Sequence, residues 1–188
     1  VTQPDKPIGR TQELQPSRTK QVALEHRLPI LQPGRLDEEA YSDLKSWKPD
    51  LIVVAAYGRI LPRNILSLPG FGCLNVHASL LPKWRGASPI HNVLLSGETE
   101  TGVTLMLMDE NMDTGDIIAS ERTDIDPYET RPELEARLAD IGAELLSHTL
   151  TPFIERKIVP RKQDSSEATL CQLIDREDGR IFWNEDSQ

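Results

Sequence analysis

At 188 residues the chain is long enough for one domain with a substantial core, or for one domain with a tail, and it is too short for a tandem array. Hydrophobic residues make up 38% and charged residues 27%, and no apolar run approaches the roughly 20 residues that span a bilayer, so a soluble protein with no membrane partner is expected. The formal net charge of -9 repels nucleic-acid phosphates, which excludes a broad basic binding face and requires any RNA contact to be local.

Cys73 and Cys171 lie far apart and match no metal-ligand spacing, as expected for free thiols in a reducing compartment, the cytoplasm or an organelle interior. Val1 opens the sequence in place of Met, and nothing in the polar start reads as a signal or transit segment, which suggests a truncated start.

In chain order, residues 2–17 hold three prolines and no sustained periodicity, which predicts a long loop of the kind that carries function. Residues 18–26 can form a short helix, 28–31 a short strand, and 37–47 a helix with Leu44 and Trp47 on one stripe. Residues 50–56, DLIVVAA, form a continuous β-branched apolar run, the pattern of a parallel strand buried on both faces. A short helix over 62–67, a buried strand over 72–76 and a helix over 88–96 follow. Residues 101–108 and 116–125 read as strands around an acidic turn. From 132 to 154 a helical period places Leu134, Leu138, Ile141, Leu145 and Phe153 near one face, with Pro132 suited to the first turn. After Lys157 the composition turns polar and aperiodic until residues 179–183, which predicts a linker ending in a short docked element. The expected division is a catalytic domain over 1–157 and a linker with its docked segment over 158–188.

Strands alternating with helices imply an α/β fold with a mainly parallel, twisted sheet flanked by helices, whose working residues sit at the carboxyl ends of strands. Asn75 and His77 end one strand, and Asp113 lies in the turn after another. A spacing of two puts the Asn75 and His77 side chains on the same side of an extended strand. An amide donor and an imidazole converging on one point suit the oxyanion formed when a nucleophile adds to a carbonyl. Taken singly, each residue is more often a turn cap or a backbone partner. The turn MDENMDTGD supplies Asp109, Glu110, Asp113 and Asp116. One carboxylate beside His77 would orient the imidazole, pair with it, and accept through water the proton lost by an attacking amine. By itself the segment reads equally well as a solvated turn. Its carboxylate spacing fails the calcium-loop pattern, and no metal is expected.

The combination NVHASLLPKWRG followed by MDENMDTGD resembles the signature of formyltransferases that take their formyl group from 10-formyltetrahydrofolate. The resemblance implies a Rossmann-like formyltransferase fold and a catalytic triad of Asn75, His77 and Asp113. It also implies folate contacts from Gly58, Arg59, Ile60 and Leu61 and from Met108, Glu110 and Asn111. Ser79, Leu80, Leu81 and Pro82 are expected to form a wall of the site, with room for a cis Leu81–Pro82 bond.

The opening TQPDKPIGR and the step Trp84-Arg85-Gly86 resemble the methionyl-tRNA formyltransferases. That likeness implies initiator methionyl-tRNA as acceptor, an opening loop that enters its acceptor arm, Arg10 as a phosphate or base contact, and a monomer. Thr11, Gln12 and Glu13 stand where the family's loop is basic, which weakens the electrostatic case. On the same likeness a first strand and helix should precede Val1, leaving the fold N-terminally incomplete, and a C-terminal barrel should follow Gln188. The competing readings are a sugar-nucleotide formyltransferase with the same triad and donor, a glycinamide-ribonucleotide formyltransferase, and a degenerate binding module without turnover.

Overall fold

The computed structural model describes residues 1–8, 13–175 and 177–180. It divides into two compact units, Val1–Cys73 and Leu74–Gln188.

In the first unit, β1 (Lys6–Ile8) and β2 (Glu13–Gln15) pair antiparallel, Pro7 opposite Leu14. Part of the stretch expected as loop is therefore a hairpin. Its strands are three residues each and β2 is wholly exposed, so no alternation of burial marks them in the sequence. The Ser17 hydroxyl caps α1 (Arg18–Glu25) by accepting from the Lys20 N–H at 3.2 Å. Residues 28–31 form no strand. Leu31 offers its carbonyl to the Thr2 N–H at 3.0 Å, a single backbone bond where a ladder was expected. The Asp37 carboxylate caps α2 (Glu38–Ser46), which buries Ala40 and Leu44 and carries Glu38 and Glu39 at its positive end. Trp47 falls at the C-cap, off the buried stripe, and is 45% exposed.

Burial along β3 (Ile52–Ala55) alternates, against the expectation of a strand covered on both faces. The apolar run could serve two faces, but within this unit only alternate residues are covered. Val53 and Ala55 instead help line a largely apolar cleft of about 650 Å³ with Leu36, Leu44, Leu61 and Ile65. After α3 (Arg63–Leu66), Phe71 N–H donates to Asp50 O and Ile52 N–H to Gly72 O, which sets β3 beside the residues entering the next strand.

That strand, β4 (Cys73–His77), continues into the second unit, where β5 (Arg85–Gly86), α4 (Pro89–Leu95), β6 (Glu100–Leu107), β7 (Ile117–Asp124) and α5 (Arg131–Ile154) follow. β4 pairs antiparallel with β6, and β6 antiparallel with β7, so the strand directions differ from the mainly parallel sheet expected here. The β6–β7 turn explains half of this: a parallel return needs a crossover of about a dozen residues or more, and the acidic turn is shorter. The α/β layering itself stands. Val93, Val103, Ile125, Leu134 and Leu138 form the core under α5, with Val76, Ile141 and Leu145 packed against it. Each buried leucine there contributes about 1.5–3 kcal/mol. At the start of α5 the Glu133 carboxylate accepts from both the N–H (2.8 Å) and the hydroxyl (2.6 Å) of Thr130, which fixes the helix entry. Among the described residues no helix is long and apolar enough to cross a membrane.

The polar stretch after α5 docks earlier than its composition suggests. Ile117 and Arg161 exchange two backbone hydrogen bonds of 2.8 Å each. Further on, β8 (Leu170–Cys171) pairs in parallel with β5. Backbone pairing and side-chain amides hold this segment, so no apolar period announces it. Of the element expected over 179–183, residues 181–183 lie outside the described residues.

Cys73, at 1% exposure, donates weakly to the carbonyls of Ile65 and Leu66, and burial pushes its thiol up to about 11. A thiol that stays protonated in the fold while the unfolded chain ionises gives a contribution complete below about pH 9 and lost as pH rises towards 11. In denaturant melts at pH 8 and pH 10.5, the wild-type chain should therefore lose more stability over that interval than Cys73→Ala. Equal losses would show that the thiol does not titrate with folding.

Candidate active site

Pairing with β6 places Asn75 opposite Met106 and His77 opposite Thr104, at the end of β4. Beyond the strand the chain turns through the expected wall. The Ser79 hydroxyl donates to Lys83 O at 2.6 Å, the Thr104 hydroxyl donates to Ser79 O at 2.7 Å, and Leu81 N–H donates to the Thr104 oxygen at 3.1 Å. Ser79, Leu81 and Thr104 are buried, so this wall satisfies its own polar groups. Leu80 and Pro82 are half-buried beside them, and the Leu81–Pro82 peptide bond is cis.

The turn presents Trp84 at φ 62 and Gly86 at φ 122. Trp84 O lies 3.0 Å from His77 Nε2. A carbonyl only accepts, so Nε2 carries the proton of that bond and Nδ1 is left facing Asp113. His77 is 6% exposed, and its ring is thereby held in one orientation.

Asp113 is a non-glycine residue at φ 53, a conformation that costs roughly 1–3 kcal/mol and persists only where its surroundings enforce it. Its Oδ2 accepts the Gly86 N–H at 2.9 Å, Asn75 Nδ2 lies 3.4 Å from Oδ1, and His77 Nδ1 lies 3.7 Å from Oδ2. The three residues expected to act together do converge. At 3.7 Å the Asp113–His77 contact is longer than a hydrogen bond. Around them, Asp109 takes the part of turn-holder: its carboxylate accepts from Asn111 N–H at 2.9 Å and from the Thr114 hydroxyl at 2.8 and 2.7 Å. Two glycines are obligatory. A Cβ on Gly86 would lie 2.5 Å from Cys171 O, and one on Gly115 would lie 1.7 Å from Leu107 O.

The sequence reading missed two participants. Gln163 donates through Nε2 to the carbonyls of Asp113 (2.9 Å) and Gly115 (2.7 Å), and its Oε1 accepts from Arg85 Nε (3.0 Å) and Nη2 (2.8 Å). Gln163 stands in the aperiodic polar stretch far along the chain from Asp113, where no spacing signals it. Cys171 also approaches, its thiol 3.6 Å from Trp84 O; burial, with a smaller contribution from the Asp113 charge, pushes that thiol up.

The remaining expected site residues fall in separate places. Met108 is half-buried at the head of the acidic turn, and Glu110 and Asn111 are exposed on it. In the first unit, Gly58 has φ 69, Arg59 Nη1 donates to Pro33 O at 3.2 Å and Gly34 O at 2.7 Å, Ile60 is 81% exposed and Leu61 is buried. Arg10, with Thr11 and Gln12, lies outside the described residues.

An amide N–H, an imidazole nitrogen and a carboxylate within reach of one point can hold a carbonyl oxygen as it gains charge and can manage the proton of an incoming amine.

In sequence and fold the chain is similar to known formyltransferases. A methionyl-tRNA formyltransferase from Caldicellulosiruptor saccharolyticus is 48% identical over 98% of this chain and 59% of its own length. The chain spans about 60% of the length of the curated relatives it matches. The phosphoribosylglycinamide formyltransferase of Bacillus halodurans superposes with a TM-score of 0.66 at 28% identity, over 73% of this chain and 75% of that one. An N-formyltransferase from Helicobacter canadensis, solved with folinic acid and dTDP-3-aminofucose, superposes with a TM-score of 0.70 at 22% identity, over 100% of this chain and 62% of that one, and so speaks for the fold. Residues 1–150 match the sequence pattern of the formyl transferases, and the chain belongs to that family.

Proposed function

We propose that this chain is the catalytic domain of an enzyme that transfers a formyl group from 10-formyltetrahydrofolate to the α-amine of methionine on initiator tRNA. The convergence of Asn75, His77 and Asp113 carries the reading. The 48% identity to a methionyl-tRNA formyltransferase favours this acceptor over a nucleotide sugar.

In this mechanism the amine nitrogen attacks the formyl carbon, and the carbonyl oxygen becomes an oxyanion. Asn75 Nδ2 donates to that oxygen. Because His77 Nε2 is committed to Trp84 O, the second donation falls to Nδ1–H, and Asp113 facing Nδ1 stabilises the resulting imidazolium. The proton shed by the amine passes through water to the Asp113 carboxylate. Collapse of the oxyanion breaks the bond to the folate nitrogen, which takes up that proton from Asp113 through water as it leaves. Holding both substrates in line supplies the proximity contribution. No step calls on a metal.

Gly58, Arg59, Ile60 and Leu61 are proposed to contact the folate donor, as are Met108, Glu110 and Asn111. Ser79, Leu80, Leu81 and Pro82 bound the reacting centre. Residues 1–157 form the catalytic domain, and 158–188 lead on from it with their first part docked. The protein is read as a monomer of the cytoplasm or an organelle interior, and Arg10 as its contact to the tRNA acceptor arm.

Two substitutions, assayed in the complete product of the gene, test the reading. Asn75→Ala should lower the transfer rate by about 100- to 1000-fold, the usual loss for one oxyanion donor, while donor affinity holds. Undiminished transfer would remove Asn75 from the mechanism. Arg10→Ala should raise the Michaelis constant for methionyl-tRNA severalfold and make the salt dependence of binding shallower by roughly one unit, since one phosphate contact releases about one counterion. The constant for the folate donor should not move. An enzyme acting on a nucleotide sugar would show neither change.

A further inference from the structure

The Asp113 carboxylate is aimed by its backbone, and that backbone stands in a left-handed conformation, which aspartate tolerates better than most residues and which its contacts help to hold. Within the turn, the Asp109 carboxylate holds Asn111 and Thr114, upstream and downstream of Asp113. The carbonyls of Asp113 and Gly115 themselves are held from outside, by a single side chain. Gln163 Nε2 donates to both, at 2.9 and 2.7 Å.

The orientation of that amide is set by chemistry. Its Oε1 faces two N–H groups of Arg85, at 3.0 and 2.8 Å, so its nitrogen must face the two carbonyls; the flipped amide would oppose donor to donor and acceptor to acceptor. Arg85 is 6% exposed, and the next residue, Gly86, gives its N–H to the Asp113 carboxylate. The turn is therefore gripped twice from the Arg85–Gly86 segment: directly at the carboxylate, and through Gln163 at the backbone.

Resting on the formyl-transfer reading, we infer that Gln163 is a positioning residue of the reaction. Its carboxamide spans the Arg85 guanidinium and the carbonyls of Asp113 and Gly115, and it keeps the Asp113 carboxylate turned toward Asn75 and His77. A competing role is plain anchorage, with Gln163 fastening the segment after α5 to Arg85. The two roles part at Gln163→Glu. A glutamate keeps the anchor, since it accepts from the guanidinium at least as well as the amide does. It loses the donor and sets a carboxylate oxygen against two carbonyl oxygens, so the turn must give way.

The test compares wild type, Gln163→Glu and Gln163→Asn, the last keeping the amide but shortening its reach by one methylene. In the complete gene product, Gln163→Glu should melt within a few degrees of wild type while kcat falls by about 10- to 100-fold, the scale of a displacement of about 1 Å, and the KM for the formyl donor stays within about twofold. The deficit should shrink as pH falls, because a protonated glutamate regains one donor. The second readout needs no activity. The Gly86 amide proton reports its charged acceptor, and in ¹H–¹⁵N spectra of the complete gene product it should move upfield in Gln163→Glu, and less so in Gln163→Asn. Wild-type kcat together with an unmoved Gly86 signal in Gln163→Glu would overturn the inference and leave anchorage. A shifted Gly86 signal in a protein whose wild type transfers no formyl group would instead uphold the positioning and sink the functional reading.

Discussion

The oxygens of a half-buried carboxylate need hydrogen-bond donors from the protein, and around Asp113 that requirement ties together β4, β5 and the acidic turn. The shortest bond the carboxylate receives comes from a backbone amide, Gly86 N–H at 2.9 Å. That amide is available only because residue 86 has no side chain, since Cys171 O occupies the space a Cβ would need. Cys171 is placed there in turn by the parallel pairing of β8 with β5. A two-residue strand near the end of the described chain thus decides whether the Asp113 carboxylate meets its backbone donor, and β8 shapes the candidate site as much as β4 does.

The imidazole shows a similar division of labour. In the familiar arrangement of a base oriented by a third group, a carboxylate often fixes the tautomer. Here Trp84 O performs that task at Nε2, at the cost of a left-handed tryptophan whose own N–H is satisfied by the Thr169 hydroxyl at 2.8 Å. Relieved of orienting the ring by a hydrogen bond, Asp113 can stand 3.7 Å from Nδ1. In the proposed mechanism, where the ring carries a proton on both nitrogens, that separation would leave Nδ1–H free to point at a substrate oxygen. A shorter Asp113–His77 bond would tie up the donor that the oxyanion needs.

How much of this the sequence disclosed depended on whether the signal was local. Period-two alternation put Asn75 and His77 on one face, but neither that spacing nor an acidic turn with four carboxylates singled out a triad; the resemblance of NVHASLLPKWRG and MDENMDTGD to the formyltransferase signature did. The helices over 38–46 and 131–154 declared themselves by caps and apolar stripes. Strand direction did not, because a continuous apolar run records burial and says nothing of which neighbour runs which way. The three-residue strands β1 and β2, the latter wholly exposed, carried no pattern to read. Gln163 was invisible for a third reason: its partners are two carbonyls and a guanidinium, all remote in sequence, and a glutamine in a polar stretch looks the same whether it is solvated or committed.

The triad geometry also limits what it can decide. In the proposed reaction Asn75, His77 and Asp113 would act at the formyl carbon and on the amine proton, features common to every primary amine acceptor, so they could not distinguish a tRNA from a nucleotide sugar. Discrimination must come from contacts made away from the reacting atoms, where binding energy is converted to orientation. On a chain of net charge -9 the long-range field opposes a polyanion, so such contacts cannot be diffuse. They must be few, local and cationic, and each then weighs heavily in the affinity. Under the proposed function, a single arginine in the opening loop, Arg10, would then govern acceptor choice while the chemistry at the formyl carbon stayed indifferent to it.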